Sequence, residues 1–321
     1  MINGEKTKMD KIKLSIFTPT FNRENNLKNL YASMLSQTNK NFIWLIIDDG
    51  STDNTSKLIE KYKKENKIKI EYYKKENGGK NTAIDYANDK CKTDYIFCID
   101  SDDTLKEDAV DKIYQQIHKV EDKEDFCGIL FTRDMHSNTA EYYKQKRELH
   151  NDMEIFFHEI NSFYTNPPET DIVFKTSYAK QSSFPKIPNE RFIMESVYYE
   201  PLFYKYKFLF SPSHLSDCTY QNDGYTAQGL DLFFKNPQGY IYAIKQTAYY
   251  VIKHEKNFKK KLGLASKYYA WKKILNIKEI YPNKNKIPFP YNALGSILKI
   301  VFLNKYTKKY KNFLNKNREI L

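Results

Sequence analysis

The sequence contains no apolar run approaching 18 residues, so no segment reads as a membrane-spanning helix. Its polar amino terminus, MINGEKTKMDKIK, lacks the apolar stretch of a secretory leader, and a chain that stays in the cytosol is expected. Cysteine is scarce. The four present, Cys91, Cys98, Cys127 and Cys218, form no CxxC pair and have no histidine cluster beside them. That spacing disfavours a zinc site or a disulfide framework and favours reduced thiols in the core. Arginine is scarce as well, at five of 52 cations, where bidentate readers of bases and phosphates favour arginine. Acids are nearly missing from one region only. From Lys256 to the end, 17 cations meet just Glu279 and Glu319, while residues 1–255 balance 35 cations against 38 acids. The net charge of +12 therefore belongs to the carboxyl-terminal fifth, and no nucleic-acid partner is expected.

What is present is a globular composition, 40% hydrophobic and 16% aromatic, long enough for one large or two modest domains. The first half alternates short apolar runs with amphipathic periods. Residues 13–18 (KLSIFT), 42–47 (FIWLII), 68–73, 95–99 (YIFCI) and 127–132 read as buried strands. Leu27, Leu30, Tyr31, Met34 and Leu35 line one face of a helix, and further helices are expected over 52–62, 81–91 and 108–117. Such alternation implies an α/β fold with a parallel, doubly wound sheet, whose ligands bind outside the carboxyl ends of the strands. The second half is less regular. Residues 142–168 show no clear period, 171–176 read as a strand, and 195–206 as a helix. Helices follow from about Thr226, broken by a linker over 282–290, with a last helix over 291–315.

Polar residues gather at the expected strand ends. Asp100-Ser101-Asp102-Asp103 follows one strand directly. Three carboxylates so close repel unless a cation intervenes, and oxygen ligands suit Mg²⁺ or Mn²⁺. The same residues also suit a helix amino-terminal cap. Asp48-Asp49-Gly50-Ser51 suits a strand-to-helix turn, or a base or ribose contact through Asp49. In Thr18-Pro19-Thr20-Phe21-Asn22-Arg23 a proline fixes the backbone, Phe21 can cover a nucleobase and Arg23 can reach phosphate. A rigid loop with a core phenylalanine is the alternative.

The order TPTFNR, DDGSTDNT, NGGKNTA and DSDD within about 100 residues resembles the inverting glycosyltransferases of family 2, which have the GT-A fold. The resemblance is strongest over about 12–135. It implies a catalytic domain over 1–230, with a nucleotide-sugar half at 12–135 and an acceptor half at 136–230, then a helical basic region over 231–321. It further implies a nucleotide-diphosphate sugar, usually a UDP-sugar, transferred to a glycan or lipid-linked acceptor in surface polysaccharide synthesis. By the resemblance, Pro19 and Phe21 flank the base and Asp49 accepts its imide N–H. Asn22, Arg23, Asn77 and Lys80 approach the nucleotide, Asp100 and Ser101 the ribose, and Asp102 the Mn²⁺ or Mg²⁺, with Asp103 in support. Many relatives carry an arginine after NGG. Here Ala83-Ile84-Asp85 stands in that place, which leaves the role to Lys80 or Arg23. The catalytic base implied is Glu195 in NERFIMES, with Glu190 as second choice. His214, Asp217 and Asp223 are acceptor or turn candidates. Two rival readings are a binding module on an inactive nucleotide fold and a nucleotidyltransferase. The intact DSDD opposes the first, and the lack of a Gly-rich basic loop after the first strand opposes the second.

The last helix carries a stripe of Leu294, Ile297, Leu298, Val301 and Phe302 among lysines. It fits either an anionic membrane surface, giving a peripheral station on the inner face, or packing on the domain with a solvated lysine face.

Overall fold

The computed structural model describes residues 11–135, 151–162, 170–218, 225–279 and 284–316. The turn expected at 222–224, with Asp223, lies outside them, as does much of the irregular 142–168 segment. Among the described residues nine strands form one sheet: β1 (Leu14–Thr20), β2 (Phe42–Asp48), β3 (Lys69–Lys74), β4 (Tyr95–Cys98), β5 (Thr104–Leu105), β6 (Phe126–Met135), β7 (Met153–Phe156), β8 (Thr170–Lys175) and β9 (Lys207–Cys218). Their order is β3-β2-β1-β4-β8-β6-β9-β5, with β7 also on β9.

The first four strands pair in parallel, linked by α1 (Asn26–Ser36), α2 (Thr55–Glu65) and α3 (Lys80–Lys90). Each falls within a few residues of its expected place. The sheet is mixed, however. β8 inserts between β4 and β6 and runs antiparallel to both. No helical crossover is described between β6 and β8, only a 3-10 turn at Phe157–Ser162, and a parallel pairing requires such a crossover. Helix α4 (Ala109–Val120) precedes β6, and α5 (Thr176–Ala179) and α6 (Ser196–Phe203) precede β9.

Every residue of β2 is buried, because helices cover both faces of the sheet. The period of two divides the strand. Trp44 and Ile46 join Leu30, Tyr31, Ile59 and Ile113 on one face, and Leu45 and Ile47 join Ala83, Ile84, Val197 and Phe208 on the other. Cys91 and Cys127 are buried, Cys98 and Cys218 partly so, and all four are free thiols. Burial pushes the Cys98 and Cys127 thiols up, as expected of inert core cysteines.

The remaining helices are α7 (Tyr225–Gln228), α8 (Leu230–Lys235), α9 (Pro237–His254), α10 (Phe258–Ile274), α11 (Tyr291–Leu298) and α12 (Ile300–Lys316). They enclose a separate aromatic cluster around Phe234, Tyr240, Tyr268, Trp271 and Phe313. Helix α9 also packs against α6. Gln246 Nε2 donates to the Val197 carbonyl, and Thr247 and Gln246 donate to the buried Glu200 carboxylate on α6. The single last helix expected from the sequence is two, with the break at Lys299. Its stripe is split. Gly295 lets α11 approach α10 so closely that a Cβ there would lie 2.7 Å from the Ala265 Cβ. Leu294 and Phe302 are partly covered, whereas Ile297, Leu298 and Val301 stay exposed. No helix among the described residues is long and apolar enough to cross a membrane.

Candidate active site

β2, β1 and β4 are parallel neighbours, so their carboxyl ends open on one side of the sheet and bring TPTFNR, DDGS and DSDD together. The loop after β1 is fixed by its own side chain. Asn22 adopts a left-handed conformation (φ 53°), and its Oδ1 accepts from the Thr52 amide at 2.8 Å. The Asn22 and Arg23 amides donate to Ser51 and Thr55 hydroxyls. Asn22 thus joins two loops rather than pointing at a ligand. Phe21 beside it is 44% exposed, a ring with an open face at the strand ends. Pro19 closes β1 opposite Ile47, beyond the last residue paired to β4, where a missing N–H breaks no ladder bond to that strand.

Asp49 is almost fully buried, and both of its oxygens are engaged. Oδ1 accepts from Lys75 and from the Gly78 amide at 3.0 Å, and Oδ2 from the Gly79 amide at 2.7 Å. Asn77 Nδ2 donates to the Asp49 carbonyl at 2.8 Å. Asp49 and Asn77 therefore shape the NGG turn. Gly79 has φ +89°, and a Cβ on it would lie 1.7 Å from the Arg191 carbonyl oxygen. Only glycine lets the segment leading to Glu195 close against this turn.

That closure places Lys80 between two acids. Its Nζ lies 2.7 Å from Asp100 Oδ1 and 2.8 Å from Glu195 Oε1. Burial works against the ammonium, but Asp100 and Glu195 outweigh it and hold Lys80 well above its ordinary pKa. Burial likewise works against the Asp100 carboxylate. Lys80, Arg133 and Arg23 outweigh it and hold Asp100 below the usual range. The other oxygen of Glu195, Oε2, accepts from the Tyr199 hydroxyl at 2.9 Å. The second-choice base, Glu190, is spent elsewhere. Its oxygens accept from the Gln238 and Gly239 amides, both at 2.7 Å, and cap α9. Burial, then the Asp49 charge, raise the Tyr225 phenol, and Lys80 and Asp100 also act on it, so Tyr225 lies beside the same volume.

Two of the three DSDD carboxylates are neutralised separately, Asp100 by Lys80 and Asp103 by Arg133. Asp103 turns into the core, where Arg133 bridges it at 3.2 Å to Asp171 at 2.6 Å. Burial pushes Asp103 up to about 7 against the opposing pull of Arg133. Ser101 is buried. Asp102 has no protein cation at ion-pair distance among the described residues, and burial, then Asp100, raise its pKa. No group of three or more His, Cys, Asp or Glu able to hold a metal occurs among the described residues. One free carboxylate beside a second one still fits a divalent ion of the kind held by one or two carboxylates plus substrate phosphates. His214 Nδ1 pairs with Thr132 Oγ1 at 2.8 Å, and Asp217 pairs with Lys106, so both serve the sheet.

Three further side chains of the candidate site escaped the sequence reading. Arg133 could have been found as one of only five arginines, directly following an apolar strand. Tyr199 stands four residues after Glu195, the spacing at which helical neighbours touch. Tyr225 had no distinguishing signal.

Comparison with known proteins follows the same outline. Over 106 residues the chain is 36% identical to the poly(ribitol-phosphate) beta-N-acetylglucosaminyltransferase TarP of Staphylococcus aureus, covering 32% of each protein. The chain spans well under half of its curated relatives, among them 15% of the glycosyltransferase GlyA of Streptococcus pneumoniae. Among solved structures, S. aureus TarS 1–349 in complex with UDP-GlcNAc superposes with a TM-score of 0.58 at 16% identity, covering 96% of this chain and 92% of that one. A mannosyltransferase from Pyrobaculum calidifontis, solved with GDP-Man and Mn²⁺, gives 0.52 at 12% identity, covering 94% and 85%. At such identities these likenesses establish the fold, which is GT-A. The glycosyl transferase family 2 model matches residues 15–187, more than half of the chain, and the chain belongs to that family.

Proposed function

We propose that this protein transfers a sugar from a nucleotide diphosphate, a UDP-sugar, to a hydroxyl of a glycan or lipid-linked acceptor, with inversion, in cell-surface polymer synthesis. The observation that carries the reading is Lys80, whose one ammonium joins the strand-end Asp100 to Glu195. It brings the nucleotide side and a carboxylate base within one side chain of each other. TarP, a beta-N-acetylglucosaminyltransferase, and TarS, solved with UDP-GlcNAc, support the donor class.

In this reading the Phe21 ring covers the base, and Asp49 and Asn77 act by holding the NGG turn that the nucleotide meets. Asp100 takes the ribose with Ser101 behind it, while Lys80 and Arg23 face the diphosphate. Asp102 would hold Mn²⁺ or Mg²⁺, which when bound would supply positive charge against the departing diphosphate. Glu195 removes the acceptor proton as the hydroxyl attacks the anomeric carbon opposite the diphosphate. The reaction is cytoplasmic, and the cationic carboxyl-terminal helices offer a peripheral contact to the membrane.

Glu195→Gln tests this. Gln keeps the shape and cannot accept the proton, so transfer should fall on the order of 10²–10⁴-fold while donor binding by calorimetry persists. Full transfer by the variant would remove Glu195 as base. The same titration repeated with EDTA should lose affinity, and equal affinity would remove the metal role of Asp102.

A further inference from the structure

We propose that Tyr199 is a positioning residue that fixes the Glu195 carboxylate for proton abstraction. The proposal rests on the reading of Glu195 as the base. Glu195 sits at the start of α6 with a side chain of three rotatable bonds, and two contacts set its plane. Lys80 holds Oε1 at 2.8 Å and the Tyr199 hydroxyl holds Oε2 at 2.9 Å. The two contacts are unlike. Lys80 is shared with Asp100, and a diphosphate arriving at the strand ends competes for the same ammonium. Tyr199 has nothing comparable to lose. Its phenol is a neutral donor whose hydrogen bond goes to Glu195, and burial, then Glu195, hold it protonated well past its ordinary pKa.

The ring is fixed too. It stacks on Phe174 at 5.8 Å and on Phe203 at 5.5 Å, with interplanar angles of 17° and 13°. A hydroxyl on a ring held from two sides is aimed more narrowly than one on a free side chain. When Lys80 turns to the donor, the Tyr199 bond remains to hold Glu195 toward the acceptor. Misplacing a base by about 1 Å costs catalysis on the order of 10²-fold, and a partly retained orientation costs less.

Tyr199→Phe keeps the stacked ring and deletes only the hydroxyl. The expected result is a kcat lowered roughly 10- to 30-fold, with donor KM and calorimetric donor affinity changed less than about twofold. In a Glu195→Gln background the same substitution should cause no further loss, because its whole effect passes through that carboxylate. Tyr198→Phe is the control. It deletes a buried hydroxyl bonded to Ala179 and Asn88 on the neighbouring position, and it should lower thermal stability while leaving kcat alone. A fully active Tyr199→Phe beside an inactive Glu195→Gln overturns the positioning role and leaves the base in place. An active Glu195→Gln overturns the base itself. Equal losses of kcat and donor affinity in Tyr199→Phe would make the residue structural and also overturn the proposal.

Discussion

At the strand ends, acids meet cations brought from elsewhere in the chain: Asp49 meets Lys75, Asp100 and Glu195 meet Lys80, and Asp103 and Asp171 meet Arg133. The carboxyl-terminal helices are built the other way. Glu279 gathers Lys245, Lys272 and the Tyr268 hydroxyl, and Glu255 holds Lys260, but from Lys256 onward 17 cations have two acids. The difference separates two uses of charge. In the first region every one of these acids, though not Asp102, is matched inside the fold, so the field there is local and aimed. In the second the charge is left for whatever lies outside.

The strongest way to break the first half of this contrast is to remove its most buried cation. Arg133 is 13% exposed and serves Asp171, at 0%, and Asp103, at 4%. Arg133→Met strands two buried carboxylates and should destabilise by about 3–5 kcal/mol in chemical denaturation. Burial pushes Asp103 up to about 7, so protonation relieves the repulsion and the loss should be smaller at pH 5 than at pH 8. A loss below about 1 kcal/mol would mean that the matched-charge description is wrong for this triad.

A second test falls on the seam between the regions. Glu200 on α6 is buried at 8% exposure and is held by Thr247 and Gln246 of α9. Burial pushes its pKa up from 4.5 to about 7, against the two hydrogen bonds. The folded state therefore binds a proton that the unfolded chain has released. The associated stability is full below about pH 4.5 and is lost as pH rises through about 7, on the order of 3 kcal/mol. Glu200→Gln mimics the protonated form, so it should flatten the decline in denaturation midpoint between pH 5 and pH 8. An unchanged slope would show that Glu200 stays ionised.

These tests also mark what the sequence could and could not disclose. Strands 42–47 and 95–99 were legible because strand ends carry local signals: an apolar run of the right length, then DDG or DSD. The left-handed Asn22 and the use of Asp49 to fold the NGG turn were not, because both depend on loops about 30 residues away. Nor was the pairing of Asp103 with Arg133, which keeps the three DSDD carboxylates from sharing one ion. β8 ran antiparallel because sheet direction is set by the connection and not by the strand's own residues. The sequence ranked Glu195 above Glu190 but could not show that the amides of α9 occupy Glu190 while Lys80 and Tyr199 hold Glu195.

The smallest expected effect on the fold tests the second half of the contrast. Ile297, Ile300 and Val301 lie at i, i+3 and i+4 across the α11–α12 junction and are 71%, 64% and 67% exposed. The opposite side of these helices is occupied, with Tyr306 4.7 Å from the Trp271 ring and Phe313 5.0 Å from Phe234. Removing the helices would therefore open the aromatic cluster and confuse location with folding. Ile300→Gln combined with Val301→Gln leaves that cluster alone, and stability should stay within about 0.5 kcal/mol. If the face meets an anionic bilayer, the lysines supply about 1 kcal/mol each and the apolar residues insert beside them. The intact protein should then pellet with anionic vesicles and weaken with salt, which screens surface charge over about 10 Å at 0.1 M. The double variant should pellet roughly tenfold less while transferring sugar to a short soluble acceptor as before. Equal pelleting of both proteins would confine the lysines to a solvated face. A dimer lost in the variant, with no vesicle binding by either protein, would assign the exposed edge to a second copy of the chain.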